Sequence, residues 1–251
     1  MVHSSLHDWF CSPLGEYLIE RERAWLDQVV PDIFGYHAIQ LGLPAIDLLR
    51  ESRISHRVTV DPQPGADVRA QWHELPFETQ SVDLCVLPHV LEFSDNPHEI
   101  LREIDRVMRP EGRILIVGFN PWSLFGTRRL FKSDGYPWQG QFVSLIRMKD
   151  WLQLLGFEPS AGKLACYIPP CESAVWQRRW SFMERMGDRW WGVGGGVYML
   201  EAIKRVQGMR LITPAWSDQK VRERKFAAAA KRSGGKLADA ARSTTHLRLI
   251  K

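Results

Sequence analysis

One helical segment held between two short apolar runs constrains the fold more than any other feature of this sequence. The segment 97–108, PHEILREIDRVM, carries apolar residues at helical spacing: Ile100, Leu101, Ile104, Val107 and Met108. Asn96 or Asp95 can cap this helix, and Pro97 suits its first turn. The flanking runs 82–87 and 114–117 predict strands. Because two strands joined through a helix are usually parallel neighbours, the stretch predicts a βαβ unit.

The same alternation continues on both sides of this unit. Further strands are predicted at 37–41, at 58–60 and near Val68, and helices at 14–30 and 148–159. Two later strands, near 162–168 and at 195–204, have an antiparallel character. Strands alternating with helices predict a mostly parallel sheet with helices on both faces. Ligands of such sheets bind at the carboxyl ends of the strands, so the residues that follow each strand are the candidates for a site.

Composition and charge divide the chain into three parts. Its 251 residues are 45% hydrophobic, which suffices for one α/β domain with appendages. Residues 217–251 contain ten Lys or Arg against three acids, 10 − 3 = +7, so the rest carries 4 − 7 = −3. We expect an N-terminal helical extension at 1–34, a domain at 35–216 and a disordered basic tail at 217–251. The tail could attract nucleic acid or an anionic membrane weakly, or have no partner.

The sequence also indicates what the protein lacks. It has no basic stretch followed by an apolar run at the N-terminus and no run of about 18 apolar residues, so we expect a cytoplasmic protein without a transmembrane segment. The four cysteines form no C-x-x-C pair, which favours reduced structural thiols over a metal site. The segment 175–191, VWQRRWSFMERMGDRWW, lies in an aromatic-rich insert at about 170–194. It suits a lid or edge packing better than a membrane helix, because its polar side carries acids as well as arginines.

Residues 81–117 resemble a class I S-adenosylmethionine-dependent methyltransferase with a type 11-like domain. The matching landmarks are the turn Glu74-Leu75-Pro76-Phe77, the triplet 81–83, the segment 90–93 and the helix ending RPEG. The resemblance covers roughly residues 35–160 and the closing strand pair. It implies a Rossmann-like seven-stranded sheet with an antiparallel last strand, and S-adenosylmethionine as the cofactor.

The resemblance also indicates which residues would bind the cofactor near the first strand. The family has an acidic residue and up to three glycines there, whereas this sequence reads QLGLPA at 40–45. Only Gly42 matches a loop glycine, and Gln40 replaces the acid that would contact the cofactor's amino group. A helix is expected to follow, with Pro44 in its first turn and its free N–H groups facing the cofactor's carboxylate. The alternative is an ordinary strand-to-helix turn without a ligand.

The remaining candidates follow later strands. Asp61 matches the acid that accepts hydrogen bonds from both ribose hydroxyls, or it is a plain turn residue before Pro62. Gln71 and Trp72 lie where the family contacts adenine, although Trp72 could equally be a core residue. Pro88 and His89 follow the fourth strand on the rim of the expected cleft. His89 is the candidate general base or substrate contact, with a structural role as the alternative.

Three functions remain open at this point. The first is a methyltransferase that uses S-adenosylmethionine on a small or lipophilic acceptor. The second is a non-catalytic binding or regulatory protein of the same fold. The third is an RNA-directed methyltransferase guided by the basic tail. The sequence predicts neither the acceptor atom nor the oligomeric state.

Overall fold

The computed structural model describes residues 5–131, 135–171, 173, 179–180, 183–184 and 194–206. The chain divides into two units, Met1–Val206 and Gln207–Lys251. The basic tail at 217–251 lies outside the described residues, as does most of the aromatic segment 175–191. Everything below therefore concerns the first unit.

Within the described residues, a single sheet contains seven strands. They are β1 His37–Leu41, β2 His56–Asp61, β3 Val68–Arg69, β4 Val82–Pro88, β5 Met108–Phe119, β6 Phe157–Ala165 and β7 Val197–Lys204. Their order across the sheet is β3-β2-β1-β4-β5-β7-β6. Strand β7 pairs antiparallel with both β5 and β6, and the other pairs are parallel. This confirms the predicted mostly parallel sheet with an antiparallel last strand.

Five α-helices accompany the sheet in the described part of the chain. They are α1 Leu6–Phe10, α2 Pro13–Val29, α3 Pro97–Val107, α4 Leu124–Phe131 and α5 Leu145–Leu154. Helix α2 begins where the Ser12 hydroxyl accepts a hydrogen bond from the Gly15 amide at 3.2 Å, and Pro13 occupies its first turn. Helix α3 begins with Pro97 as the sequence predicts. None of the described helices is long and apolar enough to cross a membrane.

The two faces of the sheet bury different helices, because successive strand residues point to opposite sides. On one face, Ala38 and Val86 belong to the same apolar cluster as Leu18 of α2. On the other face, Ile39 clusters with Ile104 of α3 and with residues of α5. The N-terminal helices therefore share the core of the sheet.

The helix expected after β1 is not present. Residues 42–55 form a series of turns, and β2 begins at His56. Leu43, Ile46 and Leu48 of this segment are buried in the same cluster as α2. Since α1 and α2 already cover this face of the sheet, the segment after β1 needs only to fill the space between them and the strands. The prediction of a strand, a turn and then a helix is correct only in its first two parts.

Candidate active site

A cavity of about 470 Å³ lies at the carboxyl ends of β1, β2 and β4. Its lining comes from the turns that follow these strands, at 42–45, 61–65 and 88–90, and from Trp72, Phe93, Tyr136 and the N-terminal residues 5–7. The size is within the range of about 300–1,000 Å³ that is usual for small-molecule sites. The position is the one that the parallel sheet predicts for a ligand.

Gly42 lies close to three side chains that line the cavity. Its φ of +79° is in the left-handed region that glycine adopts without cost. A Cβ at this position would be 3.0 Å from Cγ2 of Val90, 3.8 Å from Cζ2 of Trp72 and 3.9 Å from Oδ2 of Asp61. The structure thus brings together Gly42, Asp61 and Trp72, three residues that the sequence separates by up to thirty positions.

Asp61 ends β2 and presents its carboxylate to the cavity. The side chain is buried, and its Oδ1 accepts a hydrogen bond from the Gln63 amide at 2.8 Å. Burial raises the pKa of the Asp61 carboxyl, and the Gln63 hydrogen bond partly opposes the rise. Its Oδ2 faces the side of Gly42. One oxygen therefore holds the local turn while the other is placed to accept hydrogen bonds from a ligand.

Trp72 contributes a hydrogen-bond donor as well as an apolar ring. Its indole Nε1 is buried and has no hydrogen-bond partner among the described residues. Buried hydrogen-bond donors without a partner are rare in proteins, so this one requires an explanation. Because Trp72 lines the cavity beside Gly42, a ligand with an acceptor atom at this position would satisfy the indole N–H.

His89 follows β4 in a left-handed conformation, with φ of +55°, and is completely buried. Its Nε2 lies 2.8 Å from Oε1 of Glu22 in α2, and its Nδ1 lies 3.2 Å from Oε2 of Glu92. Burial alone lowers the pKa of His89, but the carboxylates of Glu22 and Glu92 outweigh it and raise the pKa to about 10. Both ring nitrogens are therefore protonated and engaged at neutral pH. This geometry argues against the general-base role predicted for His89 and favours a structural one.

Gln40 does not line the cavity. Its Nε2 donates to the carbonyl oxygens of Gly42 at 3.0 Å, Leu43 at 3.1 Å and Ile46 at 2.8 Å, and its Oε1 accepts from the Leu48 amide at 3.0 Å. The amide of Gln40 thus braces the turns that replace the expected helix. The amide oxygen predicted to contact the cofactor's amino group is used inside the protein instead.

We expect Gln40→Glu to lower the free energy of unfolding by at least about 2 kcal/mol, because the new carboxylate would face three carbonyl oxygens that now receive hydrogen bonds. Urea unfolding measures the loss. Gln63→Glu, an exposed change at the cavity mouth, is the control and should leave stability nearly unchanged. If Gln40 substituted functionally for the family's acid, the glutamate variant would keep its stability and bind the cofactor more tightly.

Of the two remaining predicted site residues, one lines the cavity and the other does not. Pro88 lines the cavity at the end of β4. Gln71 is exposed and outside the lining, where its carbonyl accepts from the Glu74 amide at 3.1 Å. The cofactor contact predicted for Gln71 stays a prediction that the cavity geometry does not favour.

Sequence reasoning missed the N-terminal wall of the cavity. Ser5, Leu6 and His7 line it, and the Ser5 hydroxyl caps α1 by accepting from the Asp8 amide at 3.0 Å. Ser5 preceding an apolar helical segment was the available signal, but it predicts only a helix start. Tyr136 was also missed. Its ring lies 5.1 Å from that of Phe93, and both line the cavity.

The sheet order, the antiparallel closing pair and the cavity at the carboxyl edge define a class I methyltransferase fold. Residues 43–116 match the family model described as a methyltransferase domain. Over these residues the chain is similar to that family.

Two curated proteins are similar to parts of this chain. The protein YafS of Escherichia coli (strain K12) is 34% identical over 154 residues, which are 60% of this chain and 64% of the relative. A demethylmenaquinone methyltransferase of Chlamydia pneumoniae is 28% identical over 81 residues, which are 31% of this chain and 35% of the relative. This chain spans less than two thirds of the length of these curated relatives.

Among solved structures, an S-adenosylmethionine-dependent methyltransferase from Thermotoga maritima superposes with a TM-score of 0.59 at 16% identity. The superposition covers 78% of this chain and 93% of the other. At this level of identity the likeness concerns the fold alone.

Proposed function

We propose that this protein binds S-adenosylmethionine in the cavity and transfers its methyl group to a small or lipophilic acceptor. The observation that carries the proposal is the meeting of Gly42, Asp61 and Trp72 on one cavity wall. A polar nucleoside would satisfy this set: a glycine at which a Cβ would be in tight contact with Val90, an acceptor carboxylate and an indole donor without a partner among the described residues.

The residues present fit the cofactor. Asp61 offers a carboxylate oxygen that can accept from a ribose hydroxyl, and the Trp72 indole offers its N–H and its ring. The turn at 42–45 lets a ligand approach the backbone closely at Gly42. These three elements would hold the nucleoside, and Pro88 and Val90 would border it on the side of β4.

When bound, S-adenosylmethionine supplies an electrophilic methyl group: the acceptor's lone pair forms the new bond to carbon, and the electrons of the broken C–S bond stay on sulfur. The chain's own contribution is to place the acceptor in line and to keep water away. Proximity and orientation of this kind can supply a large part of the rate increase. Since His89 has no free nitrogen, an acceptor that loses a proton would have to release it to another group or to water.

The apolar part of the cavity supports an acceptor that is small or lipophilic. Leu6, Val90 and the rings of Phe93 and Tyr136 line the same cavity as Asp61 and Trp72. Ligand sites of this size usually combine many apolar contacts with a few polar groups that set orientation.

One observation favours the alternative of a non-catalytic binding protein. No helix follows Gly42 within residues 42–55, so a helix N-terminus does not face the cavity from this side. Such an N-terminus would bring several free N–H groups to the cofactor's carboxylate. A protein that binds the nucleoside without transferring a methyl group is therefore the second candidate.

Calorimetric titration with S-adenosylhomocysteine tests cofactor binding directly. We expect the wild-type protein to bind, and Asp61→Asn to bind at least about tenfold more weakly, because a charged acceptor contributes about 1.5–3 kcal/mol. Asparagine keeps an oxygen for the Gln63 amide, so the turn should persist. Asp67→Asn is the matched control: Asp67 is exposed, lies outside the cavity lining and accepts from the Thr59 amide at 2.9 Å.

Three other outcomes would contradict the proposal or favour a different function. Absence of heat with the wild-type protein at millimolar ligand would contradict the proposal. Binding without methyl transfer to any acceptor from a small-molecule extract would favour the non-catalytic protein. An RNA-directed enzyme would instead show salt-sensitive RNA binding that is lost when residues 217–251 are removed.

A further inference from the structure

Three buried charged groups lie directly behind the wall of the cavity. Glu22, His89 and Glu92 are 1%, 0% and 2% exposed, and the imidazole lies between the two carboxylates at 2.8 Å and 3.2 Å. We call these three residues the Glu-His-Glu cluster. They come from α2, from the turn after β4 and from the following 3₁₀ turn Leu91–Phe93, so only the folded chain brings them together.

With both carboxylates ionised, the cluster carries one more negative charge than positive charge. Burial raises the pKa of the Glu22 carboxyl and the His89 cation opposes the rise, so the excess charge is complete only above that raised pKa. The imidazolium of His89 neutralises the charge of one carboxylate, and the charge of the second carboxylate remains. Oε1 of Glu92 accepts a hydrogen bond from the Phe119 amide, whereas Oε2 of Glu22 is buried and has no partner among the described residues. The excess charge is therefore least compensated on Glu22.

The surroundings of the cluster screen this charge poorly. The ring of Phe119 lies 4.3 Å from the imidazole and that of Phe10 lies 5.6 Å away. The guanidinium of Arg21, one residue from Glu22, is stacked 5.2 Å from the centre of the Tyr17 ring. Charges act over longer distances in such apolar surroundings than in water. Because His89 lines the cavity, the net negative charge acts on whatever occupies it.

We infer that the Glu-His-Glu cluster makes the cavity select a cationic ligand over its neutral analogue, with Glu22 as the specificity-determining residue. The inference rests on the proposed function, since the two forms of the cofactor differ in this property. S-adenosylmethionine carries a positive sulfonium, whereas S-adenosylhomocysteine carries a neutral thioether. The cluster favours binding of the methyl donor and disfavours retention of the spent product.

The test is the ratio of two dissociation constants, Kd for S-adenosylhomocysteine divided by Kd for S-adenosylmethionine, measured by calorimetry without an acceptor. Loosening of the fold weakens both ligands alike and leaves the ratio unchanged. Removal of one charge changes the ratio through the sulfonium alone, because the charged groups that the two ligands share contribute equally to both dissociation constants. We expect Glu22→Gln to lower the ratio at least about threefold relative to wild type. The attraction between one unit charge and the sulfonium, partly screened by solvent, is large enough for a change of this size.

Matched variants keep the test decisive. Glu201→Gln removes another buried carboxylate, one that pairs with Arg113 at 2.6 Å across β5 and β7 and is outside the cavity lining, and it should leave the ratio unchanged. If circular dichroism shows Glu22→Gln to be unfolded, Glu92→Gln removes the same charge from the other side of the imidazole. Binding of both ligands with a ratio that neither folded variant changes would overturn the inference. Failure of the wild type to bind either ligand would overturn the proposed function instead.

Discussion

Replacing His89 with alanine should lower the free energy of unfolding by about 3–5 kcal/mol near neutral pH, because removal of one partner leaves buried charge uncompensated. In this protein two carboxylates, those of Glu22 and Glu92, would lose their shared cation while remaining buried. Urea unfolding followed by circular dichroism measures the change. His56→Ala, at an exposed position at the start of β2, is the control and should change stability by no more than about 0.5 kcal/mol.

The pH dependence of this loss has a defined sign. The folded-state pKa of His89 is raised from 6.5 to about 10, so the imidazolium stabilises the fold fully below about pH 6.5. That contribution disappears as the pH rises through about 10, because the folded protein then loses the proton as well. The stability difference between wild type and His89→Ala should shrink across this interval. A difference independent of pH would show that the imidazole acts by packing alone.

Replacing Gly42 with alanine should weaken the binding of S-adenosylhomocysteine by about tenfold to a hundredfold. The new Cβ would lie 3.0 Å from Cγ2 of Val90 and would enter the space between Trp72 and Asp61. The contact with Val90 is present with and without ligand and affects stability only, whereas a methyl group in the space of the bound ligand overpacks the complex. Such overpacking costs about 1–3 kcal/mol, and each 1.4 kcal/mol is about a factor of ten in affinity. Isothermal titration calorimetry measures the dissociation constant.

Gly156 provides the matched control for this substitution. Its φ of +85° is close to that of Gly42, but it follows α5. Among the described residues, a Cβ there would have one neighbour within 4 Å, the Arg205 carbonyl oxygen at 3.5 Å. Both alanine variants therefore incur the left-handed penalty of about 1–2 kcal/mol in stability. Only Gly42→Ala should lose affinity. Equal binding by the two variants would mean that the ligand does not approach the backbone at Gly42.

The sequence predicted most of the sheet because the spacing of apolar residues along the chain locates most of its strands and helices. The helix at 97–108 and the strands on either side of it are where the apolar spacing places them. The helix expected after β1 failed for a reason that no local pattern contains. Whether a segment must form a helix depends on what else covers that face of the sheet, and here α2 does so from the N-terminus.

In the candidate site, too, local patterns predict some residues and tertiary packing decides the roles of others. Gly42, Asp61 and Pro88 could be found from the sequence because they follow or end strands that the apolar pattern locates, and Trp72 could be found from the resemblance to the family. The roles of Gln40 and His89 could not, because a polar side chain acts through its partners. The partners of Gln40 are three carbonyl oxygens and one amide within the next eight residues, and those of His89 include a glutamate 67 positions away.

By itself, then, the sequence predicted most of the strands, the helix between β4 and β5 and the edge of the sheet where a ligand is expected, because apolar period and turn chemistry are properties of neighbouring residues. Only the tertiary structure decided which polar groups face the cavity and which are paired with other groups inside the protein. Burial and pairing of charge arise when distant segments pack together, and it is this packing that places Glu22 behind the wall of the cavity.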